Sequence, residues 1–177
     1  LLFSEDAMRD TLLYLRLALY LRPDFPPAQL MMANLQEYAL DYEGAIKTYE
    51  TIDKDTVFYE RGLIRSALNY EMLKQTDQAE RILKIAMAKS PTASEPYVTL
   101  GDIMRAKKDF HKSVQAYTKA IELSGTPKEE DWRLYYARGT CYERAGNWKL
   151  AEEEMKKALE LSPAQADVPN SLAYSWL

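Results

Sequence analysis

Two stretches of sequence decide the fold. Residues 110–125 read FHKSVQAYTKAIELSG, and residues 148–163 read WKLAEEEMKKALELSP. Each begins with an aromatic residue, has a small residue three positions later, and ends with Gly125 or Pro163. Large or small apolar residues follow the small residue after four and seven positions, which is the spacing of one helix face. Because Gly and Pro mark helix ends, both stretches predict the same amphipathic helix.

The small residue of these stretches recurs along the whole chain. It is the anchor of each repeat and stands at Thr11, Ala45, Ala79, Ser113 and Ala151, at steps of 34, 34, 34 and 38 residues. A second small column precedes the anchors by twelve residues, at Ala33, Ala67, Gly101 and Gly139. The pattern predicts a helix–turn–helix unit repeated every 34 residues. We place the four extra residues of the last step near Gly125 and Pro127, because these residues interrupt helices.

The composition agrees with a helical protein. Leu occurs 23 times and Ala 21 times among the 177 residues, whereas Val occurs four times. Leu and Ala favour helices, and a shortage of β-branched residues is unfavourable for a large sheet. Hydrophobic residues make up 47% of the chain, which is enough apolar surface to offset the entropy lost on folding. A single hairpin cannot bury its apolar face, so the hairpins are expected to stack.

The chain resembles the tetratricopeptide repeat family, including its bacterial members. The columns that carry the resemblance best are Tyr97, Leu100, Gly101, Ser113, Tyr117 and Ala120, and then Tyr135, Gly139, Tyr142, Ala151, Ala158 and Pro163. Four residues depart from the family pattern, since Gln29, Gln36, Ser66 and Arg138 stand where large apolar residues are usual. The resemblance implies an all-α fold, a right-handed α-solenoid of stacked antiparallel helix hairpins. It also implies that first helices line a concave groove that binds extended peptides or helices.

The repeat register divides one solenoid over residues 1–177. The predicted parts are a partial repeat at 1–25, full repeats at 26–59, 60–93, 94–131 (with the four-residue insertion) and 132–165, and the first helix of a truncated repeat at 166–177. Apolar residues such as Trp176 are unsuitable for the polar outer face of a capping helix. We therefore expect the parent protein to continue past Leu177 and to start before Leu1.

The candidate binding residues are the first-helix positions that packing does not use. They are Leu30, Asn34, Tyr38, Arg61, Ile64, Arg65, Leu68, Val98, Asp102, Arg105, Arg133, Tyr136, Thr140 and Arg144. One column, formed by Leu30, Ile64, Val98 and Tyr136, predicts an exposed apolar ribbon, and exposed apolar patches tend to mark interaction sites. The flanking arginines suit the carboxylates of a bound peptide. The alternative is that these arginines are solvated or pair with neighbouring acids.

Several functions are disfavoured by the residue counts. A net charge of −4 is unfavourable for a nucleic-acid partner. One Cys and one His cannot form an internal disulfide, a cysteine zinc site or a histidine-rich metal site. No catalytic pair or glycine-rich phosphate loop stands at a suitable spacing, so we expect no catalytic residue, no metal and no cofactor. No apolar run is long enough to span a membrane.

The expected function is that of a non-catalytic scaffold or adaptor that binds a partner protein or peptide in the concave groove. One alternative is an accessory repeat array of a larger enzyme whose catalytic domain lies outside this chain. Another is self-assembly through the uncapped helix at 166–177, because open-ended solenoids can associate end to end. The compartment stays open, and a soluble protein of the cytoplasm or of a bacterial periplasm fits the sequence.

Overall fold

A computed structural model describes residues 5–163, with side chains from Ala7 onward, and this part of the chain is all-α. Its nine α-helices are α1 (Glu5–Leu21), α2 (Pro26–Tyr38), α3 (Tyr42–Glu50), α4 (Tyr59–Met72), α5 (Thr76–Lys89), α6 (Glu95–Ala106), α7 (Phe110–Ser124), α8 (Trp132–Arg144) and α9 (Trp148–Leu161). A short 3₁₀ helix, Glu129–Asp131, precedes α8. No strand occurs between residues 5 and 163. The helix predicted at 166–177 lies outside the described residues.

The helices pair as hairpins, α2 with α3, α4 with α5, α6 with α7 and α8 with α9. A three-residue turn joins the two helices of each hairpin, and its middle residue has a positive φ, at Leu40, Lys74, Lys108 and Gly146. Only Gly146 adopts this conformation without a steric penalty on Cβ. Asp41 and Asp109 then cap the second helices of two hairpins, because their carboxylates accept backbone N–H bonds from the first turn.

The described part of the chain divides into two compact units, unit 1, which ends at Lys89, and unit 2, which begins at Ser90. The small columns explain how the two helices of a hairpin approach each other, since Ala33 and Ala45 of unit 1 have no exposed surface. In unit 2, a Cβ on Gly101 would lie 2.6 Å from the ring of Tyr117. Glycine at this position therefore leaves the space that the tyrosine ring fills.

Three of the four departures from the family pattern, Gln29, Gln36 and Arg138, make polar contacts. Gln29 is buried, and its Nε2 donates to the carbonyls of Pro23 (2.9 Å) and Thr51 (3.1 Å). The side-chain oxygen of Gln36 accepts a hydrogen bond from the Thr48 hydroxyl at 2.6 Å. Hydrogen bonds thus hold the glutamine side chains at these two packing positions, although the buried Oε1 of Gln29 has no hydrogen-bond partner among the described residues.

Arg138, the fourth departure, forms an ion pair with Glu154 across the α8–α9 hairpin. Its guanidinium donates to both Glu154 oxygens at 2.7–3.0 Å and to the Thr118 hydroxyl at 3.0 Å. The two charged side chains are only 13% and 17% exposed. Burial raises the pKa of the Glu154 carboxyl, and the neighbouring Arg138 opposes this rise. The charge of the largely buried Arg138 guanidinium is therefore balanced by a single carboxylate, that of Glu154.

None of the helices described between residues 5 and 163 has the length and apolar character needed to cross a lipid bilayer.

Candidate functional site

In unit 1, a tyrosine of the second helix supports the surface of the first helix. Tyr49, on α3, is 2% exposed. Its hydroxyl is 2.9 Å from Asn34 Oδ1 and 3.1 Å from Glu37 Oε1, and it shares its proton between these two acceptors on α2. The tyrosine ring packs with Ala33 and Ala45 in the core of the hairpin. The core thus fixes the position of two polar groups at the surface of α2.

Glu37 is the centre of this polar group. Its carboxylate also accepts hydrogen bonds from Arg65 and from Asn69 Nδ2, the latter at 2.8 Å, and both donors are on α4. The Glu37 side chain is only 9% exposed, whereas that of Arg65 is 42% exposed. Arg65 is therefore neutralised by an internal carboxylate and is not a free cation for a bound peptide.

Exposed apolar side chains surround the ion pair of Arg65 and Glu37. A cavity of about 590 Å³ is lined by Glu37, Arg65 and Asn69 and also by Tyr38, Leu68 and Met72, among others. A second cavity of about 230 Å³ shares Asn34 and Tyr38 and adds Met8, Met31 and Leu35. Met31, Tyr38 and Met72 are more than half exposed. Unit 1 thus offers an apolar surface with adaptable methionines, and the carboxylate of Glu71 also lines the larger cavity.

Unit 2 repeats the tyrosine arrangement with different partners. Tyr117, on α7, is 1% exposed, and its hydroxyl donates to Asp102 Oδ1 at 2.7 Å. Arg105 Nε donates to the same hydroxyl at 3.2 Å, and Arg105 Nη2 is 3.2 Å from Asp102 Oδ1. Asp102 and Arg105 follow the small residue Gly101 by one and four positions, as Asn34 and Glu37 follow Ala33. The same columns therefore build both polar groups.

The surface beside this second group is more polar than that of unit 1. A cavity of about 360 Å³ is lined by Val98, Tyr136 and Thr140, with Asp102, Arg105, Trp132 and Arg133 at its border. The exposed guanidinium of Arg133 lies 5.6 Å from the ring centre of Trp132, within the range of a cation–π contact. Arg133 forms no ion pair with a described acid. It keeps its charge available to a ligand.

The predicted apolar ribbon is wrong for two of its four members. Leu30 is 8% exposed and packs in the core of unit 1, and Ile64 is 4% exposed. Both side chains are therefore largely inaccessible to a partner. Val98 and Tyr136, in the same column of unit 2, are partly exposed at the cavity.

The other predicted residues are distributed as follows. In unit 1 the structure brings together Asn34, Tyr38, Arg65 and Leu68, and in unit 2 Val98, Asp102, Arg105, Arg133, Tyr136 and Thr140. Arg61 and Arg144 are exposed on α4 and α8. Arg65 and Arg105 pair with neighbouring acids, as the alternative interpretation of the arginines predicts.

Sequence reasoning misses the two tyrosines as site residues. Tyr49 and Tyr117 occupy the same column, four residues after the anchors, and this position predicts a packing residue alone. Their rings do pack in the hairpins, but their hydroxyls reach the first helices. The sequence signal for this arrangement has two parts. Polar residues stand one and four positions after the small residue of the first helix, and a tyrosine stands four positions after the anchor of the second helix.

The arrangement is not suited to proton transfer near neutral pH. Burial raises the pKa of Tyr49 to about 12, with smaller opposing and reinforcing effects of Arg65 and Glu37, and also raises the pKa of Tyr117. Burial likewise raises the pKa of the Cys141 thiol. Among the described residues, no three metal-ligating side chains come together. These groups therefore hold and orient side chains.

Unfolding at alkaline pH provides a test of the Tyr49 environment. The phenol ionises near pH 10.0 in the unfolded chain but near 12 in the folded chain. The unfolded state therefore loses its proton first, and we expect stability to fall between these pH values by about 2 kcal/mol for this group. Urea unfolding of the wild type and of Tyr49→Phe at pH 9 and at about pH 11.5 checks this. An equal loss in both proteins would contradict the prediction.

Comparisons with known proteins agree with the repeat architecture. Residues 94–127 and residues 132–165 match two family models of the tetratricopeptide repeat. The solved structure of TTC0263, a thermophilic TPR protein of Thermus thermophilus, has a TM-score of 0.68 at 20% identity and covers 97% of this chain and 91% of that chain. At this identity, the likeness concerns the fold.

Two curated proteins are similar over part of the chain. UDP-N-acetylglucosamine–peptide N-acetylglucosaminyltransferase of Giardia intestinalis is 31% identical over 131 residues, which are 69% of this chain and 8% of that protein. Mitochondrial import receptor subunit TOM70 of Rattus norvegicus is 34% identical over 55 residues, 30% of this chain and 9% of that protein. The chain thus spans less than a tenth of the length of either relative.

The helix hairpins, their period and these matches define an all-α helical repeat protein of the solenoid class. More specifically, the chain is a tetratricopeptide repeat protein. A fold of this family is typically a non-catalytic interaction module.

Proposed function

We propose that this chain is a protein–protein interaction scaffold or adaptor, and that it binds a segment of a partner protein on the surfaces of its first helices. The observation that carries the proposal is the exposure of Met31, Tyr38 and Met72 around the neutralised Arg65–Glu37 pair. Exposed apolar side chains cost free energy in water, and a partner segment covers them. Because Arg65 and Glu37 neutralise each other, the part of the segment that lies over this pair is apolar and uncharged.

Unit 2 offers a surface of different chemistry. Arg133 is exposed and is held against Trp132, beside the partly exposed Val98 and Tyr136. A guanidinium in this position binds a carboxylate through two parallel hydrogen bonds. We propose that Arg133 contacts an acidic group of the partner. Arg105, which is already bonded to Asp102 and Tyr117, mainly maintains the shape of the surface.

The test of the unit 1 surface compares two exposed apolar patches. Phage-displayed random peptides of about 15 residues are selected on the wild type, and the enriched peptides are titrated by fluorescence anisotropy. Replacing Met31, Tyr38 and Met72 by Ser is expected to weaken binding by about tenfold or more, because buried apolar anchors dominate such interfaces. These side chains are more than half exposed, so the fold should persist.

The matched control is Ile85→Ser, which removes an exposed apolar side chain from the second helix α5 of the same unit. Binding should be unchanged in this variant. Peptides that bind the triple variant as tightly as the wild type would place the binding surface elsewhere and contradict the proposal, as would the absence of any enriched peptide.

A second candidate function has one supporting observation. The similarity to the Giardia intestinalis glycosyltransferase extends over 69% of this chain. The chain can thus be an accessory repeat array of a larger enzyme, with partner binding as its task and catalysis outside it. A catalytic domain encoded in the same reading frame would support this candidate. The exclusion of a nucleic-acid partner stays a prediction, and so does the alternative of self-assembly through residues 166–177.

A further inference from the structure

The helix α1 carries the anchor Thr11 and so corresponds to the second helix of a hairpin, and it exposes an apolar stripe. Leu13 is 64% exposed, Leu17 is 53% exposed and Tyr20 is 83% exposed. These residues follow each other at i, i+4 and i+7, so they lie along one line of the helix. The buried residue of the same helix, Leu15, is 7% exposed and faces the other way. The stripe is therefore separate from the surface that α1 uses for packing.

The equivalent columns of the other second helices are mostly polar and exposed. In the other second helices, the column of Leu13 contains Lys47, Arg81, Gln115 and Glu153. The column of Leu17 contains Thr51, Ile85, Lys119 and Lys157. The column of Tyr20 contains Lys54, Ala88, Glu122 and Glu160. These helices have their own first helices beside them, and the columns nevertheless face solvent. Hairpin packing therefore does not account for an apolar stripe at these positions.

The two edges of the stripe differ in charge. Arg9 and Arg16 are exposed and lie two helical turns, about 10 Å, apart along one edge. Tyr14, which is 69% exposed, and Leu21, which is 73% exposed, lie along the other edge. The exposed Asp10 is on the line of Leu17. α1 thus combines an apolar stripe with one cationic edge.

These edges distinguish between the possible occupants. Two copies of α1 in antiparallel pairing would bring the arginine edges together, and parallel pairing would place the arginines against Tyr14 and Leu21. Among the described side chains of α1, neither arrangement provides more than one acid, Asp10, for the two arginines. A bilayer would have to take up Asp10 together with Leu17, and a carboxylate in the apolar interior is costly. The geometry instead requires a helix with an apolar stripe and acidic residues along one side.

We propose that α1 is a docking surface for an amphipathic helix of a partner protein whose apolar stripe is flanked by acidic residues. Leu13, Leu17 and Tyr20 are covered by the apolar stripe of that helix, and Arg9 and Arg16 pair with its acidic edge. The surface is distinct from the first-helix surfaces of the proposed function, and neither depends on the other.

Two designed helical peptides of about 21 residues test the proposal. Both carry a leucine stripe, and they differ only along one edge, which has glutamates in one peptide and lysines in the other. The wild type is expected to bind the glutamate peptide about tenfold more tightly in a fluorescence anisotropy titration at low salt. Replacing Arg9 and Arg16 by Gln should remove this preference while leaving the weaker apolar binding.

The variant Leu13→Gln/Leu17→Thr/Tyr20→Ala removes the stripe with residues that the chain already uses in these columns, at Gln115, Thr51 and Ala88. Because the changed side chains are more than half exposed, helix content and melting temperature should be retained, and binding of both peptides should be lost. Unchanged binding in this variant would overturn the proposal.

Two further outcomes would also overturn it. A wild-type dimer in sedimentation experiments that is absent from the triple variant would identify a second copy as the occupant. Flotation with phosphatidylserine vesicles that the triple variant abolishes would identify a lipid surface.

Discussion

Replacing Arg138 by Leu is expected to destabilise unit 2 by about 3–5 kcal/mol, because the change leaves a buried carboxylate without its cation. Glu154 is 17% exposed and accepts three hydrogen-bond contacts from the Arg138 guanidinium. Glu154→Ile alone should have a similar effect, since it leaves the guanidinium buried without its carboxylate. The measurement is urea unfolding at neutral pH, followed by circular dichroism.

The combined variant Arg138→Leu/Glu154→Ile is expected to be about as stable as the wild type, or more stable. Removing both charges removes their desolvation cost, and apolar residues of similar size can fill the site. The chain already has Leu100 and Ile82 in the equivalent columns of other hairpins. If the double variant instead loses the sum of the unfolding free energies that the two single variants lose, the two side chains do not act as a pair.

The period of the sequence predicts much of the fold because it reports directly on packing. Each anchor and each small residue twelve positions earlier must let two helices approach, and Ala33, Ala45, Gly101 and Ser113 indeed lie in hairpin interfaces. The turn positions follow from the same register. Helix existence and pairing are thus local consequences of the repeated pattern.

The period of the sequence does not predict how exposed the individual residues of one column are. Leu30 and Ile64 share a column with Val98 and Tyr136, yet the first two are buried and the last two are partly exposed. Exposure at the border of a helix face depends on the size and tilt of neighbouring side chains, which the period does not encode. The candidate surface is therefore narrower than the column suggests, and it includes Met31 and Met72 from other columns.

Compensating polar pairs cannot be predicted from the sequence pattern either. Arg138 is visible as a departure from an apolar column, but its partner Glu154 stands 16 residues later within a run of three glutamates. The register does place Glu154 in the column of Thr48 and Ile82, but the period does not indicate that its carboxylate pairs with Arg138. In the same way, Glu37 and Arg65 are 28 residues apart and are brought together only by the packing of α2 and α4.

Replacing Tyr117 by Ala is expected to destabilise unit 2 by about 3–5 kcal/mol. The ring is buried over Gly101, and the hydroxyl holds Asp102 and Arg105. Tyr117→Phe keeps the ring and removes only the hydroxyl, so a smaller loss of about 1 kcal/mol is expected. Urea unfolding of both variants separates the contribution of the ring from that of the hydrogen bonds.

Gly101→Ala provides an independent check of the same contact. In the wild type its Cβ would lie 2.6 Å from the Tyr117 ring, and we expect a loss of about 1–3 kcal/mol from overpacking. In the Tyr117→Ala background the ring is absent, and the same change should stabilise the helix by up to about 1 kcal/mol, because alanine favours helices over glycine. A loss of equal size in both backgrounds would show that Tyr117 is not the reason for a glycine at position 101.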